Sequence, residues 1–394
     1  MQLSWIAAVT MLVFPAAGAW GEADDEGSAL HELVRQGVTY NAEGELDRAD
    51  AVWERLRTAH PTHPAGPTLA VSTIYLRQVL DDNDTRYDAA IERTARRAVA
   101  LGEARLATRE ADAELHYYTG QALFDLARLE GIRGRVLSAG RHGEQARNHL
   151  ERALELDPAF VEPKLPLGMY HYYAGLLPDL VKWLRWLWFV PWGESETGLR
   201  YLDEVYEGGG LYAPAAASTL VNIYTYHEPG HLHRALALGA ELCERFPDNR
   251  LFQYQRIEAT FEAGRYDAAV EAALALEQRP LVREGDEALR RATTIIRARA
   301  ELHRGRPDTA RKILERFGPD GPERPSWANA WILLLRSQVF DVEGQRSRAV
   351  SLYERVTALV PPKRSQHAAA RAEEGLTEPF ALPKPAELRA APAQ

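Results

Sequence analysis

Residues 227–231 read His-Glu-Pro-Gly-His, and His233 follows two positions later. Two histidines four apart with a glutamate between them can hold zinc and supply a general base, provided both rings leave one face of a continuous helix. Pro229-Gly230 is a turn dipeptide that breaks such a helix. The spacing is that of a zinc metallohydrolase, which makes it a remote alternative, but the local backbone chemistry opposes it. No Ser/His/Asp set, paired carboxylates or phosphate loop stands out elsewhere. No catalytic residue, metal or cofactor is therefore expected. Cys243 is the one cysteine, which excludes an internal disulfide framework and a Cys-based zinc site. It is expected to be a small buried residue.

Two other segments carry concentrated chemistry. Four of the nine tryptophans, Trp183, Trp186, Trp188 and Trp192, fall within ten positions. Asp179, Lys182 and Arg185 are three apart, so a helix here would carry one narrow polar stripe against a broad apolar surface. Pro178 and Pro191 bracket the stretch at about 18 Å of helix, too short to span a bilayer. Three readings are open: packing inside the fold, a projection that binds a partner, or insertion into a membrane surface, where Trp beside Lys and Arg suits the headgroup zone. The second segment, GIRGRVLSAGRHG at residues 131–143, is Gly-rich and basic. It lacks the Gly-Lys-Ser/Thr of a phosphate loop. It reads as a loop or an extended helix pair, with an anion contact through Arg133, Arg135 and Arg141 as the alternative.

The scaffold that must position these residues is helical. Ala, Leu, Arg and Glu dominate the 394 residues, and alternating Val/Ile/Thr-rich runs are scarce. Apolar residues at 46% exclude wholesale disorder. Lys+Arg total 47 and Asp+Glu 56, a net −9, so no global positive field draws in nucleic acid. Trp5 to Phe14 is a ten-residue apolar run followed by Ala17-Gly18-Ala19. That pattern reads as a secretory signal over residues 1–19, giving an exported protein of a bacterial periplasm or envelope. Residues 20–27 form an acidic mature end, and residues 362–394 a Pro/Ala-rich tail expected to be loosely ordered.

Between them the chain repeats itself. Leu33, Gly37, Tyr40, Ala49, Trp53 and Pro61 are spaced 4, 3, 9, 4 and 8. Small residues at the Gly and Ala positions let two helices of a hairpin approach closely, and proline stops the second helix. The second half recurs at Ala146, Leu150, Ala153 and Pro158, and again at Ala235, Leu242 and Pro247. Gly264 with Ala269, Gly305 with Ala310 and Gly344 with Ala349 continue it. The series resembles the tetratricopeptide repeat (TPR) family. About eight units over residues 28–361 are expected, the second (about 62–112) degenerate. The spacing is 14 residues too long between Gly120 and Ala146, and a Trp-rich insertion fills 176–193.

The resemblance implies an all-α, right-handed superhelix of antiparallel helical hairpins, an α-solenoid whose concave face binds a peptide or partner protein without catalysis. Slots 2, 5, 9 and 12 of each first helix usually face that groove. They map to Tyr117, Gln121 and Phe124 in unit three, to Met169, Tyr172 and Tyr173 in unit four, and to Tyr224 and His227 in unit five. The composition suits recognition, and core packing between helices is the competing reading of each. The expected function is an interaction scaffold of the cell envelope, with a membrane-surface adaptor anchored by the Trp-rich segment as the alternative.

Overall fold

The computed structural model describes residues 25–176, 193–279, 282, 286–318, 325–359 and 366–382. The proposed signal, the acidic end before residue 25, and Trp183, Trp186, Trp188 and Trp192 lie outside these residues. All regular structure among them is helical. The chain clusters into two compact units, Met1–Asn222 with Glu244–Asn249, and Ile223–Cys243 with Arg250–Gln394.

Unit 1 begins with α1 (Asp25–Glu43) and α2 (Leu46–Ala59), then α3 (Ala65–Gln78) and α4 (Asp88–Leu106). The longest pair follows, α5 (Ala113–Ile132) and α6 (Val136–Leu156), and then α7 (Lys164–Gly175) and α8 (Ser195–Glu207). Helix α9 (Ala213–Tyr226) runs from unit 1 into unit 2. The small-residue logic of the repeat is visible in the first pair. A Cβ on Gly37 would fall 2.5 Å from the Trp53 ring, so only glycine lets α1 lie on that indole. Trp53 is fully buried, and its N–H donates to Thr73 Oγ1 at 2.8 Å. Thr73 in turn donates to Asn41 Oδ1 at 3.0 Å, which satisfies the buried polar atoms.

The Gly-rich stretch 131–143 is an extended helix pair. Arg133, Gly134 and Arg135 alone make the turn, with Gly134 at φ +73°. Gly131 lies in the last turn of α5, and Gly140 and Gly143 belong to α6, where a Cβ on Gly143 would meet the Tyr170 ring at 3.4 Å. Arg133 is not presented to an anion from outside. Its Nε and Nη2 each reach an Asp88 carboxylate oxygen at 2.6 Å, and its Nη1 donates to the Asp82 carbonyl at 2.7 Å. It thereby ties the α3–α4 loop to the α5–α6 turn.

Unit 2 continues with α10 (Leu232–Arg245), α11 (Arg250–Glu262), α12 (Tyr266–Gln278), α13 (Glu287–His303), α14 (Pro307–Leu314), α15 (Ala328–Val342) and α16 (Arg346–Leu359). Gly264, Gly305 and Gly344 occupy the turns inside the pairs at φ +71°, +74° and +73°. Helix α17 (Gln366–Thr377) corrects the expected tail. Ala368 and Ala372 join Tyr353, Val356 and Leu334 in one buried cluster. Arg346 Nη2 caps the helix by donating to the carbonyls of Gly375 at 2.7 Å and Leu376 at 3.0 Å. The Phe380 N–H then donates to Asp341 Oδ2 at 2.8 Å, which ties down the chain after the helix.

Candidate functional site

The expected groove residues of unit 1 lie in its interior. Tyr117, Gln121, Phe124, Met169, Tyr172 and Tyr173 are all buried, none exposing more than 7% of its surface. The Tyr117 hydroxyl shares a hydrogen bond with that of Tyr212 at 2.5 Å, and its ring packs edge-on against Phe160 with centroids 5.2 Å apart. Tyr172 and Tyr173 meet edge to face at 5.3 Å. Such side chains offer almost no area to a partner, so the expectation of an open aromatic surface here is replaced by core packing. Burial also drives the Tyr117 and Tyr212 hydroxyls well above the ordinary tyrosine range, so both stay protonated and neutral.

In unit 2, Tyr224 is buried as well, under Arg234, which donates to its hydroxyl at 2.7 Å and lies 4.9 Å from its ring centre. His227 is half-buried. Helix α9 ends at Tyr226, Pro229–His231 form one 3-10 turn, and α10 starts at Leu232. His227 and His231 therefore share no helix, and the geometry a zinc peptidase needs is not formed. Among the described residues no group of three or more His, Cys, Asp or Glu could hold a metal ion. Cys243 is buried and its thiol is pushed up by that burial.

A different set of side chains in unit 2, most of them half-buried, gathers arginines against aromatic rings. Arg299 on α13 lies 4.0 Å from the ring centre of Phe261 and 4.7 Å from that of Trp331. Its Nη2 pairs with Glu262 Oε1 at 3.0 Å. Arg371 on α17 sits 5.7 Å from the same Trp331 ring centre. Two guanidiniums thus share one indole, where the ring quadrupole attracts both cations. Only one carboxylate pairs with them: Arg371 makes no ion pair among the described residues. Burial and the like charge of Arg299 pull the Arg371 pKa below the ordinary arginine value. His303 completes the wall, its ring centre 5.3 Å from that of Phe261, 5.2 Å from Tyr266 and 5.9 Å from Phe380. Burial and the two arginines lower its pKa to about 4, so it is neutral at pH 7.

The sequence reading passed over Arg299, Trp331 and Arg371, although the signal for two of them was present. With Ala310 and Ala349 in the small slot of the second helix, as Ala235 is in unit five, Arg299 falls in slot 9 and Trp331 in slot 2. Arg371 had no such signal, because it follows Pro361-Pro362 in what read as a tail.

Residues 33–63 match the tetratricopeptide repeat family, over the same stretch whose spacing first revealed the repeat. No curated protein matches the chain. Similar solved structures include a tetratricopeptide repeat protein from Parabacteroides merdae, at 12% identity and a TM-score of 0.30, covering 88% of this chain and 100% of that one. The TPR domain of P58(IPK) is similar at 12% identity and a TM-score of 0.25, covering 89% and 98%. Naa15/Naa10 bound to HypK-THB gives 14% identity, a TM-score of 0.33, and 88% and 73% coverage. Residues 33–63 thus match one tetratricopeptide repeat, and the described helices pack in consecutive pairs, an all-α arrangement consistent with an α-solenoid.

Proposed function

We propose that this protein is a non-catalytic scaffold, exported to a bacterial envelope, that holds an acidic segment of a partner protein against unit 2. Tetratricopeptide domains are in general protein–protein interaction scaffolds and typically have no enzymatic activity. Export is supported by the apolar run from Trp5 to Phe14 and the small residues that follow it. The observation that carries the partner chemistry is Arg371, a half-buried cation beside Arg299 on the face of Trp331; Arg371 makes no ion pair among the described residues, although Glu262 and Glu374 act on its charge. A carboxylate docking there gains a charge-assisted hydrogen bond and relieves the repulsion of the arginine pair. Trp331 supplies the apolar, rigid anchor on which such interfaces usually depend.

The test is titration of the full chain with fluorescein-labelled octapeptides, one rich in Asp and Tyr and one rich in Lys and Tyr. The acidic peptide is expected to bind, and Arg371→Gln is expected to weaken it about tenfold, equivalent to about 1.4 kcal/mol, without changing the melting temperature. Equal binding of both peptides, or an unaffected Arg371→Gln protein, would reject the assignment of partner chemistry. Liposome flotation separates this reading from the membrane adaptor, and the mature N-terminus of the protein recovered from a periplasmic extract tests export.

A further inference from the structure

Two arginines are buried among the described residues, Arg128 and Arg297. Arg297 is bonded as a buried guanidinium should be, through Nε and Nη2 to the two Glu277 carboxylate oxygens at 3.2 and 3.1 Å. Arg128, 2% exposed, is not: its Nε, Nη1 and Nη2 are all buried, and none finds an acceptor among the described residues. The ring of Tyr75 lies against it, 4.0 Å from the guanidinium carbon. The Tyr75 hydroxyl donates to the Asp125 carbonyl at 2.7 Å, so the platform that holds Arg128 is fixed to α5 itself. A buried charge left without hydrogen bonds costs several kcal/mol, about what breaking a buried ion pair costs.

The acids nearby do not meet it. Asp125, one helical turn before Arg128, accepts from Gln121 Nε2 at 3.2 Å through Oδ1, while its buried Oδ2 has no partner. Asp82, in the loop after α3, likewise keeps a buried, unpartnered Oδ1. Arg133 holds that loop in place through the Asp82 carbonyl. Tyr173 of α7 lies within electrostatic reach of both Arg128 and Asp82. Asp82 and Asp125 are both within electrostatic reach of Arg128, so the unmet donors and unmet acceptors lie in one region of unit 1. A bare anion would be repelled by the carboxylates, and a bare cation by Arg128.

We infer that Arg128, Asp125 and Asp82 form a binding site in unit 1 for a small polar guest that carries an oxyanion beside a hydroxyl or ammonium donor. The planar fork of Arg128 takes the oxyanion, which a carboxylate and a phosphate fit equally well. Asp125 Oδ2 and Asp82 Oδ1 accept from the neighbouring donor. Asp82 is only half-buried as a residue, which places the loop after α3 at the mouth of the site.

The experiment is thermal melting of the full chain with L-lactate, L-serine and sn-glycerol 3-phosphate, with sulfate and glycerol as controls that lack the donor or the oxyanion. At least one of the three should raise the melting temperature saturably, on the order of 3 °C. The carboxylate and phosphate arms show which oxyanion is preferred. Arg128→Met should abolish the rise, and Arg128→Lys should raise the half-saturating concentration about tenfold or more. The inference is overturned if none of the three acts, if sulfate or glycerol acts as strongly, or if the rise survives Arg128→Met. Should Arg128→Met fail to fold, the near-isosteric Asp125→Asn decides: an unchanged half-saturating concentration also overturns it. A crystal structure grown with the most effective probe that shows ordered water alone on Arg128 would do the same.

Discussion

The two units treat a buried arginine in opposite ways. In unit 2, Arg297 and Glu277 close on each other, both nearly inaccessible, and Thr294 adds a hydroxyl to the carboxylate at 3.2 Å. Nothing about that pair asks for a further partner. In unit 1, Arg128 is equally buried and has two carboxyl groups nearby, yet the protein leaves all three groups with unmet atoms. The first pattern is what stability alone selects. The second retains a charge the fold does not need, the pattern expected where polar groups are kept for something they bind.

Removing the arginines one at a time gives the largest contrast. Arg297→Met strands the Glu277 carboxylate in an apolar setting and is expected to cost unit 2 about 3 kcal/mol or more. Arg128→Met, measured without any added guest, strands no bonded carboxylate and removes an unbonded buried charge, so it should cost unit 1 nothing and stabilise it by about 1–4 kcal/mol. Hydrogen exchange resolved along the chain separates the two units. Equal losses would show that Arg128 is held by structure as firmly as Arg297 is, and the contrast between the units would disappear.

How much of this could be read in advance depends on what sets each feature. The repeat register was legible because it is a demand for close contact. Gly37 must be glycine to lie against Trp53, and Gly120 must be small because a Cβ would meet the Ala146 carbonyl at 3.1 Å. The role of Tyr117, Tyr172 and Tyr173 was not legible, since a slot number says which way a side chain leaves its helix and not what then covers it. Helix α17 was hidden by Pro361-Pro362. Its signal, Ala368, Ala369 and Ala372 on one helical face, is too weakly apolar to stand out until Tyr353 is seen packing on it. Arg128 reads in the sequence as one more arginine on a helix. Only the positions of its neighbours make it unusual.

A smaller effect sharpens the same contrast through pH. Burial pushes the Asp125 carboxyl up to about 7, against an ordinary value of 3.8, with Gln121 and Arg128 opposing the shift. The sign follows from linkage: a carboxyl raised in the folded state favours folding when protonated, so its contribution is complete below about pH 4 and is lost as pH rises through about 7. Asp125→Asn removes that loss. The variant should therefore gain on wild type between pH 5 and pH 8, by up to about 2 kcal/mol. Asp82 titrates in the same direction, also near 7. His63 and His149, lowered by burial to about 3 and about 4, act oppositely, withdrawing stability as the solution is acidified below their unfolded value. They are present in both proteins, so the difference between wild type and variant isolates Asp125. A difference that is flat with pH would mean that Asp125 is ionised throughout, bonded in a way the geometry does not contain.

The smallest expected effect concerns how closely the helices approach in each unit. On α8 of unit 1, a Cβ at Gly198 would lie 2.5 Å from the Tyr172 nitrogen and 2.6 Å from the Gly168 carbonyl oxygen. These are backbone atoms that cannot step aside, so α7 and α8 touch through their main chains. On α10 of unit 2, a Cβ at Gly239 would come no nearer than 3.5 Å, to Arg256 Cβ, an ordinary van der Waals distance. Glycine costs a helix interior roughly 0.5–1 kcal/mol relative to alanine, chiefly through the freedom it has when unfolded. Gly239→Ala is therefore expected to stabilise unit 2 by about that amount, read as a higher denaturation midpoint with an unchanged slope. A loss instead of a gain would mean that α10 and α11 pack as tightly as α7 and α8, and that unit 2 has no more room at its helix contacts than unit 1.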